Sequence, residues 1–86
     1  MHEQGIAGDL VDRASRAIAG QGGAPSAMKL RIGALAGITP EGLTAALTDK
    51  ALAQWGQVPR LEIESSDDIG DVNALGVVLS SVTVEG

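Results

Sequence analysis

The sequence contains no cysteine, no phenylalanine and no tyrosine, with a single tryptophan and a single histidine. Without cysteine there is no disulfide, no thiolate zinc site, no iron–sulfur cluster and no cysteine nucleophile. The one histidine is His2, so a Ser-His-Asp triad would need its base at the second residue of the chain. Catalysis is therefore not expected. Basic residues are also few, six Lys and Arg against eleven Asp and Glu, for a formal net charge of −5. The six are scattered at Arg13, Arg16, Lys29, Arg31, Lys50 and Arg60. An acidic chain with a pI near 4.5 has no electrostatic footprint for nucleic acid, and an anionic membrane surface is disfavoured for the same reason. No apolar run approaches the roughly 18 residues of a membrane span. No basic-then-apolar leader opens the chain. The expected location is the cytoplasm.

What remains is 86 residues, of which 44% are hydrophobic. Thirteen of these are alanines, which leaves nine Leu, seven Val, six Ile, two Met and Trp55 as the larger apolar side chains. Such a length allows one domain, residues 1–86, with a small, light core and marginal stability. A homo-oligomer would bury more of it. Disorder is not expected, because the apolar content is too high and the net charge too modest.

From Ile6 to Ala19, Ile6, Leu10, Val11, Ala14, Ala17 and Ile18 recur at helical spacing, with Asp9, Asp12, Arg13 and Arg16 on the other face. This predicts an amphipathic helix, ended by Gly20 and followed by a Gly-rich connection to Ser26. Met28, Leu30 and Ile32 then alternate with Lys29 and Arg31, the period of a half-buried strand. A second helix follows, with Thr39 as N-cap, Pro40 at its first position and Glu41 near its positive end. Its stripe is Leu43, Ala46, Leu47, Ala51 and Trp55, and Gly56 and Pro59 stop it. Leu61 and Ile63 alternate with Glu62 and Glu64 in a second strand. An acidic, turn-rich loop spans residues 65–74, and a last strand runs from about Val77 to Glu85. Its alternation changes phase near Ser80-Ser81, through a bulge or through burial of both faces. The expected fold is α+β in the order α-β-α-β-β, two helices packed on one face of a small three-stranded mixed sheet. The first two strands would be parallel, and a short loop would make the last pair antiparallel.

Most candidate sites have plain structural readings. The glycines of Gly20-Gln-Gly-Gly23 follow a helix and precede a strand, the reverse of a phosphate-binding loop. Asp67, Asp68, Asp71 and Asn73 lack the spacing of a calcium loop and read as a solvated turn. Glu62 and Glu64 could form an acid/base pair, but opposite Lys29 and Arg31 they read as cross-strand partners. Trp55 reads as a core or partner-surface side chain. Met1-His2-Glu3 is different. Methionine before a residue as bulky as His is retained, so a free α-amine would stand beside an imidazole. With the intervening backbone amides, these form a nitrogen-rich chelate that suits Ni(II) or Cu(II) in tetragonal geometry. Glu3 would orient the site or add an oxygen.

Met1-His-Glu-Gln-Gly-Ile-Ala7 and Leu30-Arg-Ile-Gly-Ala-Leu-Ala-Gly-Ile-Thr-Pro-Glu-Gly-Leu43 resemble the HypA family of nickel metallochaperones. Leu61-Glu-Ile-Glu64 resembles that family's next strand, and Val77 to Glu85 its closing strand, so the resemblance covers nearly the whole chain. The family matures [NiFe]-hydrogenases, and some members support urease. The resemblance implies a nickel-binding domain with Ni(II) as cargo at Met1, His2 and Glu3. A hydrogenase maturation GTPase or a hydrogenase large subunit would be its partner. Two departures stand out. The family's two Cys-x-x-Cys pairs, which fold an inserted zinc domain, are replaced by residues 65–74, and Ala34 stands where many members carry Glu.

Two readings follow. One is a nickel-binding accessory factor for hydrogenase maturation; the other is an adaptor or stable subunit of a hydrogenase-related complex without a delivery role. Both predict no zinc, since one His and no Cys cannot close a structural zinc site. Thermal melts with and without EDTA should superimpose; a fall of many degrees on chelation would reveal a structural metal.

Overall fold

Five elements follow one another in the computed structural model, which describes residues 3–84. They are α1 (Glu3–Ala17), β1 (Ala27–Ile32), α2 (Pro40–Trp55), β2 (Arg60–Ser65) and β3 (Val77–Thr83). Helix α1 starts a turn before its apolar stripe and buries Ala7, Leu10, Val11 and Ala14. Asp9–Arg13 and Asp12–Arg16, each at 3.3 Å, bridge one turn on its exposed side. Pairs this exposed contribute a few tenths of a kcal/mol, about 0.3–0.5 each.

Helix α2 has the ends its sequence calls for. Thr39 is extended (φ −88°, ψ 152°), and its hydroxyl accepts from the Gly42 N–H at 3.0 Å. Pro40 takes the first helical position, where a missing N–H costs nothing. Gly56 closes the helix in the left-handed conformation (φ 73°), donating its N–H to the Leu52 carbonyl. Leu43, Ala46, Leu47 and Ala51 form the buried face. The two helices pack against each other, and the buried alanines 7, 14, 46 and 51 keep the layer they form thin.

The sheet order is β2-β1-β3. Strand β1 pairs parallel with β2, Leu30 opposite Ile63 and Arg31 opposite Glu64. It pairs antiparallel with β3, Ile32 opposite Val77 and Met28 opposite Val82. The expected antiparallel pairing of the last two strands is therefore corrected: β1 lies between them. The cause is the connection. Eleven residues, 66–76, separate the two strands and are long enough to cross the end of β1. The Gly33 N–H donates to the Gly76 carbonyl at 2.8 Å and the Ser66 N–H to the Ile32 carbonyl at 2.8 Å, so the loop is tied to that end. The central position goes to the most deeply buried strand.

The phase change in β3 is a bulge. Lys29 faces Ser81 while Leu30 faces Leu79, so Ser80 is the extra residue. The insertion lets Val77, Leu79 and Val82 all pack against the core despite their mixed parity. Met28, Leu30 and Ile32 meet the helices on the covered face, where α1 lies toward β3 and α2 toward β2. Lys29, Arg31, Glu62 and Glu64 occupy the open face, where Arg31 Nε meets Glu64 Oε1 across the strands at 3.5 Å. Glu62 pairs along its own strand with Arg60 at 3.0 Å.

Ile32→Asp should leave no folded protein in circular dichroism. An unpaired charge buried on the covered face costs several kcal/mol, against a domain stability of about 5 kcal/mol. Glu62→Gln should shift the urea midpoint by less than about 1 kcal/mol equivalent. Equal effects would mean that the two faces have been assigned wrongly.

Candidate functional site

Of the three residues expected to hold nickel, Met1 and His2 lie outside the described residues, and Glu3 is the first residue of α1. Its carboxylate lies close to α2. Glu3 Oε2 sits 3.1 Å from where a Cβ on Gly42 would stand, the same distance as Thr39 Oγ1. The acid of α1 therefore lies against the first turn of α2, beside the N-cap hydroxyl. Because residue 42 is glycine, the carboxylate can come this close. The helix macrodipole favours a negative charge there. The site thus joins Glu3, Thr39 and Gly42 at the meeting point of the two helix N-termini. The alternation and stripe patterns read along each helix separately carry no signal for such a contact.

The other sequence candidates have structural roles. Asp68 Oδ1 accepts from the Gly70 N–H at 3.0 Å, and Asp71 Oδ1 from the Asn73 N–H at 2.9 Å. The Ser66 hydroxyl accepts from the Asp68 N–H at 3.1 Å. These side chains close turns, as short polar residues do. Among the described residues, no three His, Cys, Asp or Glu side chains gather where they could hold a metal ion. Trp55 is half-buried and packs on the core. It also borders a cleft of about 270 Å³ with Ser15, Ile18, Gly20, Gly22 and Gln54. That lining carries no charge, and the buried Ser15 hydroxyl in it has no hydrogen-bond partner.

Two features escaped the sequence reading. Gly33 is one: a Cβ there would collide with the Ala74 and Asn73 carbonyl oxygens, so the loop backbone rests directly on it. The exposure of Ile69, Val72 and Leu75 in the same loop is the other. The acidic and turn-forming residues around them mark that segment as a solvated loop. No helix among the described residues is long and apolar enough to cross a membrane. Comparison of the chain with protein-family models, with curated proteins and with solved structures gives no match.

Glu3→Gln should lower stability by up to about 1 kcal/mol at low salt, and by less at high salt, because a charge at a helix N-terminus is screened. Urea denaturation at the two ionic strengths measures this. An unchanged midpoint at low salt would show that the carboxylate contributes nothing to the α1–α2 contact.

Proposed function

We propose that this chain is a small nickel-binding accessory protein for [NiFe]-hydrogenase maturation, carrying Ni(II) as cargo at its Met1-His2-Glu3 segment. The observation that supports this best is the setting of Glu3. Helix α1 begins at that residue, directly after Met1-His2, and the Glu3 carboxylate lies against α2. The base of the chelating segment thereby lies where α1 and α2 both begin. The donors are the α-amine, the intervening backbone nitrogens and the His2 imidazole, a set suited to Ni(II) or Cu(II). Glu3, beside the first turn of α2, orients this set. Of the segments that resemble the HypA family, residues 3–7 lie in α1, residues 30–43 run from β1 into α2, residues 61–64 lie in β2 and residues 77–83 in β3. The client would be a maturation GTPase or a hydrogenase large subunit. A second reading, an adaptor without metal delivery, is favoured by the exposed aliphatic side chains of the loop 66–76.

Calorimetric titration of Ni(II) into a chain starting at Met1 tests the proposal. His2→Ala should abolish tight binding. A residue left ahead of Met1 turns the amine into an amide and should do nearly the same. Glu3→Ala should weaken binding by about 10–100-fold. Affinity should fall as pH drops, because the amine, the imidazole and the amides must lose protons to bind. Equal affinity in the native-start, extended and His2→Ala proteins would overturn the nickel reading and leave the adaptor.

A further inference from the structure

We propose that the loop 66–76 is a preformed docking surface for a partner protein that presents aliphatic side chains bordered by Lys or Arg. The proposal stands independently of nickel binding.

The apolar part is concentrated. Ile69, Val72 and Leu75 are 70%, 96% and 78% exposed, and the neighbouring Leu35 is 53% exposed. Leu35 joins the loop through its N–H, which donates to the Ala74 carbonyl at 2.7 Å. Single exposed aliphatics are ordinary, but four on one end of a small domain form the kind of patch that marks an interaction site. Their arrangement follows from the turns. Asp71 N–H donates to Asp68 and Ala74 N–H to Asp71 in successive three-residue steps. Ala74 is buried, while Ile69, Val72 and Leu75 are left outside.

The loop is also held in shape. Its backbone presses on Gly33, where no side chain would fit, and the Ser66, Asp68 and Asp71 side chains close its turns. A partner would have little to order on binding, which lowers the cost of association.

Charge selects the occupant. Asp67, Asp68 and Asp71 are interleaved with the aliphatic residues, and no Lys or Arg follows Arg60. Among the described residues none of these three carboxylates is in an ion pair. A second copy of the same loop would bring like charges together around the apolar centre. Nucleic acid and anionic lipid are repelled in the same way. A basic rim around an aliphatic centre is complementary in both respects.

The test uses the ¹⁵N-labelled full chain and two synthetic amphipathic helical peptides. Each has Leu on one face, flanked by Lys in one peptide and by Glu in the other. With the Lys peptide, amide shifts should be confined to residues 66–76 and Leu35–Ala36, and added salt should weaken binding. The Ile69→Ser/Leu75→Ser protein should bind at least about tenfold more weakly at an unchanged melting temperature, as loss of apolar anchors requires. Asp67→Lys, which disturbs no turn hydrogen bond, should also weaken binding. Four results would overturn the proposal: no binding; shifts spread over the open face of the sheet; equal affinity for the Glu peptide; or self-association of the free chain through the same residues.

Discussion

Strand β1 is the constraint on which the other elements depend. It is the one strand with two neighbours, and its Met28, Leu30 and Ile32 are almost fully buried under the helices. Strands β2 and β3 bury their inward residues only partly. In a chain with one aromatic residue, no single large side chain fills the centre. The core is instead a layer of Leu, Val, Ile and Ala between a thin helix pair and β1. A sheet of three strands with one covered face is about the smallest that holds together in water, so nothing in it is redundant.

The contact of Gly33 with the backbone of residues 73 and 74 extends this constraint outward. The loop from β2 to β3 must cross the end of β1, and it does so in direct backbone contact, with hydrogen bonds from Gly33 and Leu35 closing it down. A loop drawn in this tightly has little interior. Ala74 fills it, and the larger aliphatic residues of the segment are left outside.

Most of the architecture was legible along the chain because it is written in local patterns. Thr39-Pro40-Glu41, Gly56 and the alternation in β1 and β2 each depend on residues a few positions apart. The bulge at Ser80 was legible as a break in alternation. What was not legible is what depends on residues far apart. The side of β1 on which β3 settles, the approach of the loop to Gly33, and the contact of Glu3 with Gly42 all join segments more than 35 residues apart in the sequence. Of the candidate metal-binding segment, only the setting of Glu3 belongs to the described residues; Met1 and His2 are read from the sequence alone.

The bulge at Ser80 also bears on solubility. Among the described residues, strands β2 and β3 each have one edge with no partner, and an unpaired edge invites another chain to add to the sheet. Strand β3 is the more exposed to this hazard, since Val77 to Thr83 carries no charged side chain. An extra residue in its middle breaks the regular spacing of the edge amides and carbonyls and sharpens the local twist, so a straight incoming strand finds no continuous ladder. Strand β2 is guarded differently, by Arg60, Glu62 and Glu64. The same irregularity that lets β3 fill the core therefore keeps its outer edge from growing into an intermolecular sheet.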